Sequence, residues 1–190
     1  MDKAASRARS EGLRARSAYK LKELNRKYKF LDSASHVLDL GCWPGGWSII
    51  ASKYASVTAV DLTRMKPIEG VDFIQGDLHD ASLIASLPRA NVVLSDAAPK
   101  TVGDWRDQYE SYLLCVRALE VALTRLYKEG SFIVKIFRGE DFERYLAEVR
   151  KHFDFVKCTK PPTSRSRSKE IYIVAMGFKG FSGGYEVFKE

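Results

Sequence analysis

Charged side chains stand at two places in this sequence where buried strands are expected. Asp96 follows the apolar run Val-Val-Leu, and Lys135 lies inside Ser-Phe-Ile-Val-Lys-Ile-Phe. A lysine within such a run is costly unless it is paired or functional. An amine beside a carboxylate at the end of a buried strand can orient a hydroxyl group or accept its proton. Asp96 and Lys135 are therefore the first candidates for catalysis.

Two further charged residues could join this pair. Glu170 begins the last apolar run of the chain, and it becomes a neighbour of Lys135 if that strand runs antiparallel beside the strand of Lys135. Lys20 lies at the edge of the apolar face of a predicted helix, and Lys27 lies close to the same edge. Helical periodicity does not distinguish Lys20 from Lys27. By itself it favours a structure in which both side chains extend along the apolar face and place their ammonium groups in solvent.

A glycine-rich loop separates a predicted strand from a predicted helix at Asp-Leu-Gly-Cys-Trp-Pro-Gly-Gly-Trp, residues 39–47. Gly41, Gly45 and Gly46 permit positive φ angles and let a ligand approach the backbone. Backbone N–H groups at the start of the helix could receive a carboxylate or another anion. In an open α/β sheet, ligands bind at this position, beyond the carboxyl ends of the strands.

Acidic residues at the ends of the next two strands indicate which ligand this loop would hold. Asp61 follows Gly41 by 20 residues, the usual spacing of an acid that holds ribose hydroxyls. Asp77, or the backbone N–H of Leu78, could meet an adenine. The loop lacks the Gly-x-Gly-x-x-Gly of dinucleotide sites, so an adenosine carrying a small zwitterion, S-adenosylmethionine, fits better. The alternative is a tight turn flanked by two solvated acids.

The elements that must position these residues alternate between short β-rich runs and helical patterns, which predicts a mostly parallel sheet with helices on both faces. Only ten residues, 160–169, separate the last two strands, so these should form an antiparallel hairpin. The pattern is also that of the Rossmann-like methyltransferase fold with seven strands. The predicted strands are His36–Cys42, Ser56–Leu62, Val71–Asp77, Asn91–Ala97, Ser131–Phe137, Phe153–Thr159 and Glu170–Phe178, and helices are predicted near 14–29, 45–54, 79–87, 107–128 and 140–151.

Positive charge is concentrated at the N-terminus. Residues 1–30 hold ten Lys and Arg against three Asp and Glu, whereas the other 160 residues hold 21 of each sign. We predict a basic extension over 1–30 that is part of the domain formed by 31–190. A smaller basic cluster lies in and beside the hairpin loop, at Lys157, Lys160, Arg165, Arg167 and Lys169. Two basic regions on an otherwise neutral chain indicate a polyanion partner, although a solvated tail is the alternative.

Other classes of protein are disfavoured by composition. The three Cys and three His are dispersed, so no metal site is predicted, and the cysteines are expected to be free thiols. No apolar run approaches the ~20 residues needed to span a bilayer. The N-terminus has no apolar signal core. We expect a cytoplasmic monomer with no membrane partner.

The motifs together resemble the FtsJ-type ribose 2′-O-methyltransferases, from about Arg14 to Phe178. The resemblance rests on "RSAYKL", "DLGCWPGGW", "SDAAP", "FIVKIF" and "SKEIYIV" in that order. It implies the same fold, S-adenosylmethionine as cofactor and a Lys-Asp-Lys-Glu tetrad on Lys20, Asp96, Lys135 and Glu170. It also implies cofactor contacts at Gly45, Trp47, Asp61, Asp77 and Asp96.

The resemblance further implies methylation of a ribose 2′-hydroxyl in large-subunit ribosomal RNA, with uridine as the expected nucleotide. Lys135 would accept the hydroxyl proton, or would steer the oxygen and leave the proton to water, while Glu170 orients Lys135. Expected contacts with RNA are Arg14, Arg16, Lys20, Lys100, Arg165 and Arg167. Methylation of a tRNA or an mRNA cap, a non-catalytic RNA-binding assembly factor and an NAD-dependent oxidoreductase are the alternatives.

Two departures from the family pattern concern the mouth of the site. Cys42 and Trp43 stand where the family often has small residues, which predicts a bulkier glycine loop. "AAPK" follows Asp96 where the family more often has "MAPN", so Lys100 could alter contacts with RNA. Both changes bear on the choice of target more than on the chemistry.

Overall fold

A computed structural model describes residues 3–98, 105–164 and 168–180 of the chain. Seven strands form one sheet in the order β3-β2-β1-β4-β5-β7-β6. The strands are β1 (His36–Leu40), β2 (Ser56–Asp61), β3 (Val71–Gln75), β4 (Ala90–Ser95), β5 (Leu126–Phe137), β6 (Phe153–Thr159) and β7 (Glu170–Phe178). The helices are α1 (Lys3–Ser10), α2 (Ser17–Tyr28), α3 (Gly46–Ala51), α4 (Ala81–Ser86), α5 (Trp105–Arg125) and α6 (Phe142–His152).

The sheet has the predicted mixed topology. Strands β1 to β5 pair in parallel, β7 pairs antiparallel with β5, and β6 pairs antiparallel with β7. The strand order reverses between β1 and β4, and such a switch opens a crevice at the carboxyl ends of the strands. Asp96, Asp77 and Gly41 all come after their strands have ended, at this edge of the sheet.

Helices cover both faces of the sheet, each with its own apolar layer. Helices α1 to α3 pack on one face, where Leu21 and Leu24 of α2 are buried. Helices α4 to α6 cover the other face, where Leu119 and Leu146 are buried. The α/β class and the predicted placement of helices on both faces are confirmed.

Several element boundaries differ from the prediction. Helix α1 was not predicted, since the basic stretch before Arg14 offers few apolar residues; Ala8 nevertheless packs in the core. Strand β5 begins at Leu126, five residues earlier than predicted, and its pairing with β4 is irregular between Ala90 and Val92. Polar residues at 127–129 hid this early start, because their side chains are exposed.

The connection after α2 fixes the helix relative to β1. Lys29 ends the helix in a left-handed conformation, with its N–H donating to Asn25 O. The Asn25 side chain accepts from the Leu31 N–H and donates to Asp32 Oδ1. This buried amide ties the helix end to the following turn, which holds Lys20 at a defined height above the sheet. The division into 1–30 and 31–190 stays a prediction.

Candidate active site

A cavity of about 860 Å³ lies at the carboxyl edge of the sheet. Five of the predicted cofactor residues line it, namely Gly41, Asp61, Asp77, Leu78 and Asp96. The wall opposite the strands comes from α5, through Glu110, Leu113 and Leu114. The size is within the ~300–1,000 Å³ typical of sites for cofactors and small ligands.

The glycine loop is shaped by close approach of its neighbours. Gly41 has φ +70°, and a Cβ there would lie 2.6 Å from the Cα and Cβ of Ala97. Gly45 has φ +108°, and its Cβ would lie 2.7 Å from Met65 Sδ. A side chain at either position would therefore be strained and would clash. Glycine at these two positions therefore lets the loop pack directly against the segments after β4 and β2.

The acids at the ends of β2 and β3 are held by backbone N–H groups. Asp61 accepts from Trp43 N at 2.9 Å and from Thr63 N at 2.7 Å, so this carboxylate also fixes the glycine loop. Asp77 Oδ1 accepts from His79 N at 2.9 Å in a tight turn. Each carboxylate oxygen can accept more than one hydrogen bond, so both acids can still bind ligand hydroxyl or amino groups.

Trp43 supplies an exposed aromatic wall to the cavity. Its side chain is 57% exposed, and the neighbouring Leu62 is 54% exposed. Two large apolar side chains in contact with solvent at one cavity are unusual unless they meet a ligand. Of the two residues expected to make the loop bulkier, only Trp43 adds bulk at the cavity. Cys42 is buried inside the protein.

Gly45, Gly46 and Trp47 are not among the residues that line the cavity. The Trp47 ring is 2% exposed, its Nε1–H donates to Ser17 O at 2.9 Å, and it packs 5.9 Å from the ring of Tyr172. Gly46 lies under Ala15 and Ser17. The Trp47 side chain therefore anchors α2 to α3, and the cofactor role of these three residues, which would use their backbone, stays a prediction.

The four tetrad residues converge, linked by a fifth residue that the sequence analysis missed. Lys20 Nζ donates to Glu170 Oε1 at 2.6 Å and to Tyr172 Oη at 3.2 Å. The Tyr172 hydroxyl donates to Asp96 Oδ1 at 3.0 Å. Lys135 Nζ lies 3.2 Å from Asp96 Oδ1 and donates to Asp96 O at 2.6 Å. We call this hydrogen-bonded series, Glu170–Lys20–Tyr172–Asp96–Lys135, the catalytic chain.

Both lysines of the catalytic chain are buried. Lys20 is 5% exposed and Lys135 is 7% exposed, whereas Lys27 on the same helix as Lys20 is exposed and lies over the Tyr28 ring. Burying two ammonium groups is costly unless each finds a carboxylate, and here each does. The expectation from periodicity, that both Lys20 and Lys27 reach to solvent, is wrong for Lys20.

Glu170 has a different partner from the one expected. The antiparallel register places Tyr172 opposite Lys135 and Glu170 opposite Phe137, two residues further along β5. Glu170 therefore forms its ion pair with Lys20, and Asp96 holds Lys135. Tyr172 could have been found from the sequence, because it lies two residues after the candidate Glu170 on the same predicted strand and therefore shares its face.

Burial and neighbouring charges shift the pKa values of Glu170 and Tyr172, two residues of the catalytic chain. Burial alone would raise the pKa of Glu170, but the hydrogen bond and charge of Lys20 outweigh it, and the pKa lies below its usual value. Burial raises the pKa of Tyr172 well above its usual value, and the carboxylates of Asp96 and Glu170 raise it further. Glu170 is thus an anion and Tyr172 a neutral hydroxyl at physiological pH.

Asp39, the first residue of the glycine-loop motif, is completely buried behind the loop. Ser48 Oγ donates to its Oδ2 at 2.5 Å, and its Oδ1 has no partner among the described residues. Burial raises the pKa of Asp39 to about 7, with the charges of Asp96 and Asp61 adding to the effect. This acid supports the loop from below and does not line the cavity.

Of the six predicted RNA-contacting residues, Lys20 is buried and paired with Glu170, and the other five fall into three groups. Arg14 is engaged within the protein, where it donates to the carbonyls of Lys66 at 2.6 Å and Pro67 at 2.7 Å. Arg16 lies close enough to Tyr172 for its charge to lower the pKa of that hydroxyl. Lys100, Arg165 and Arg167 fall outside the described residues, so their roles stay predictions.

The two basic regions of the sequence meet beside the catalytic chain. Thr163 in the β6–β7 loop donates to Glu23 of α2 through its N–H at 3.1 Å and its hydroxyl at 2.5 Å. Glu23 lies one helical turn after Lys20, so this contact fixes the loop next to the buried end of the chain. The described start of the β6–β7 loop therefore lies against α2.

A family model described as FtsJ-like methyltransferase matches residues 13–178 of the chain. The chain belongs to the FtsJ-like methyltransferase family. Curated relatives named ribosomal RNA large subunit methyltransferase E are 43% identical in Methanosarcina acetivorans, 42% in Marinobacter nauticus and 40% in Archaeoglobus fulgidus. These matches cover 90%, 90% and 91% of this chain and 66%, 88% and 94% of the relatives.

A solved structure supports the same assignment. A crystal structure described as that of a ribosomal RNA methyltransferase from Plasmodium falciparum has a TM-score of 0.76 and 31% sequence identity to this FtsJ-like methyltransferase. The match covers 88% of this chain and all of the other. Among residues 3–98, 105–164 and 168–180, no helix has the length and apolar character to cross a membrane. The same ranges contain no group of three His, Cys, Asp or Glu side chains arranged to hold a metal.

Proposed function

We propose that this FtsJ-like methyltransferase uses S-adenosylmethionine to methylate the 2′-hydroxyl of a ribose, in a uridine of large-subunit ribosomal RNA. The observation that carries the proposal is the catalytic chain, with both of its lysines buried, at the edge of a cavity of a size that suits adenosine. The curated relatives support ribosomal RNA as the substrate class, because all three are named for the large subunit.

The residues present fit the proposed cofactor. Gly41, Asp61 and Asp77 line the cavity, and the two carboxylates can accept hydrogen bonds from ribose hydroxyls and an adenine amino group. Trp43 and Leu62 offer apolar surface to the adenosine. When bound, S-adenosylmethionine would supply a methyl group on a sulfonium, which departs as a neutral thioether.

Lys135 is proposed to activate the substrate hydroxyl. An ammonium has three N–H donors, and two acceptors of Asp96, its Oδ1 and its carbonyl, lie within reach of Nζ. A neutral amine can keep two N–H donors on these acceptors, which leaves its lone pair in the remaining direction. A ribose hydroxyl placed there would donate to this lone pair and would transfer its proton to Lys135.

The rest of the catalytic chain is proposed to fix Asp96 and to balance charge. The Tyr172 hydroxyl donates a second hydrogen bond to Asp96 Oδ1, which also contacts Lys135. Lys20 donates to the Tyr172 hydroxyl and is itself held by Glu170. Deprotonation of the hydroxyl therefore depends on residues from α2, β5 and β7 and on Asp96, which follows β4.

Residues 1–30 are proposed to form an RNA-contacting part of the single domain, together with the β6–β7 loop. Contacts from both segments would grip phosphates on either side of the target ribose, with little reading of sequence. The proposal keeps the cytoplasmic monomer expected from the sequence. Methylation of a 2′-hydroxyl also requires RNA rather than DNA.

Transfer of a labelled methyl group from S-adenosylmethionine tests the proposal. Purified protein is incubated with large-subunit ribosomal RNA, with intact large subunits and with tRNA. We expect label in large-subunit RNA, free or assembled. Label only in tRNA would contradict the proposed substrate, and label in no RNA would contradict the proposed activity.

A further inference from the structure

A second cavity of about 380 Å³ lies beyond the carboxyl end of β5 and is not used by the proposed chemistry. It is bounded by the start of α5, the loop between β5 and α6, and the residue before β7. The residues used below are Tyr109, Ser111, Phe137, Arg138, Asp141 and Lys169.

This second cavity adjoins the catalytic chain. Phe137 follows Lys135 by two residues on β5, a separation of about 7 Å along a strand. Phe137 also pairs with Glu170, and the Arg138 N–H donates to Lys169 O at 3.1 Å just before β7 begins. An RNA strand with its ribose at Lys135 would therefore carry a neighbouring nucleotide to this cavity.

The wall of the second cavity combines aromatic surface with cations at its rim. Tyr109 is 49% exposed, and Phe142 lies beneath the guanidinium of Arg138, whose Cζ is 6.0 Å from the ring centroid. Arg138 and Lys169 are exposed. Aromatic rings stack on nucleobases of any identity, and cations meet the phosphate that follows each base.

Ser111 and Asp141, two polar residues that line the second cavity, lack hydrogen bonds that residues in their positions usually make. Ser111 is 2% exposed, and within the described part of the chain its Oγ makes no hydrogen bond. Asp141 occupies the N-cap position of α6, yet its side chain makes no capping hydrogen bond. A buried hydroxyl without a partner is costly, and the edge of a base offers donors and acceptors for both groups.

We propose that the second cavity receives the base of an unpaired nucleotide that flanks the methylated one. The inference rests on the proposed function, because it extends the RNA strand from the catalytic chain. Tyr109 supplies the stacking surface, Ser111 and Asp141 meet the base edge, and Arg138 and Lys169 meet the phosphate. The enzyme thereby favours a target in a loop or bulge over one in a duplex.

Tyr109→Ala tests this assignment, with Tyr127→Ala as its matched control. Tyr127 is 44% exposed at the opposite end of β5, where it meets Arg89 and is remote from both cavities. Binding of a short fluorescent single-stranded RNA is measured by anisotropy, with S-adenosylhomocysteine filling the first cavity. We expect Tyr109→Ala to weaken binding about tenfold and Tyr127→Ala to have no effect.

A kinetic measurement separates base binding from a defect in the first cavity. Tyr109→Ala should raise KM for large-subunit RNA about tenfold with kcat and S-adenosylhomocysteine affinity unchanged. Ser111→Ala, a smaller change, should raise KM in the same direction. Equal RNA binding by Tyr109→Ala and Tyr127→Ala would overturn the inference, as would a loss confined to S-adenosylhomocysteine binding. Wild-type protein that binds RNA through Tyr109 but transfers no methyl group would overturn the proposed function instead.

Discussion

The cofactor cavity and the catalytic chain lie side by side but are built in different ways. The cavity is formed largely by backbone and by short motifs at strand ends, such as Gly41 and Asp61. The catalytic chain is formed by buried and partly buried side chains from α2, β5 and β7 and from Asp96, the residue after β4. The cavity therefore depends on local turn geometry, whereas the catalytic chain depends on the register of β5 and β7 and on the docking of α2.

This difference predicts that substitutions in the two regions will separate binding from turnover. A change at the cavity should alter cofactor affinity, and a change in the catalytic chain should alter methyl transfer with the cofactor still bound. Three substitutions test this separation, and a fourth, Asp39→Asn, tests the buried acid behind the glycine loop; the four are given in order of decreasing effect.

Lys135→Ala should lower the rate of methyl transfer about a thousandfold, because a positioned proton acceptor contributes roughly that factor. Affinity for S-adenosylhomocysteine, measured by calorimetry, should stay within about twofold of wild type. Lys128→Ala is the matched control, since Lys128 is an exposed lysine on the same strand. Equal rates for the two variants would remove Lys135 from the chemistry.

Asp39→Asn should change how stability depends on pH. The pKa of Asp39 is raised to about 7 in the folded protein, so ionisation disfavours the folded state. The stability associated with the neutral acid is complete below the unfolded pKa near 4 and is lost as pH rises through 7. Denaturant titrations should show that, between pH 5 and pH 8, the free energy of unfolding of wild type falls by about 2–3 kcal/mol more than that of Asp39→Asn. Parallel pH profiles would show that Asp39 does not titrate as described.

Asp61→Ala should weaken binding of S-adenosylhomocysteine about tenfold to a hundredfold, which is the usual effect of removing a charged acceptor. The substitution also frees the Trp43 N–H that fixes the glycine loop. Asp72→Ala is the control, because Asp72 is an exposed acid on the adjacent strand. Once saturated with cofactor, Asp61→Ala should retain most of its kcat, and a collapse of kcat at saturation would contradict the separation of the two regions.

Tyr172→Phe removes one hydroxyl from the middle of the catalytic chain and keeps the ring beside Trp47. Lys20 retains Glu170, and Lys135 retains Asp96, so kcat should fall only about tenfold. Rates are compared at saturating RNA and cofactor. A fall as large as that of Lys135→Ala would mean that the hydroxyl takes part in proton transfer, and an unchanged kcat would mean that Asp96 needs no support from Tyr172.

The same difference explains what could be predicted from the sequence. The antiparallel hairpin and the placement of Gly41, Asp61 and Asp77 at the ends of strands follow from motifs whose spacing is local. The burial of Lys20 could not be predicted, because Lys27 has nearly the same helical position and only the docking of α2 distinguishes them. The pairing of Glu170 with Lys20 depends on a strand register that periodicity does not specify.

The central claim is that the catalytic chain directs a methyl group to a ribose 2′-hydroxyl of large-subunit RNA. The most direct measurement is nuclease digestion and mass spectrometry of RNA methylated by the purified protein. The account predicts one 2′-O-methylated uridine in large-subunit RNA, absent from RNA treated with Lys135→Ala. A methyl group on a base, or the same product from Lys135→Ala, would contradict it.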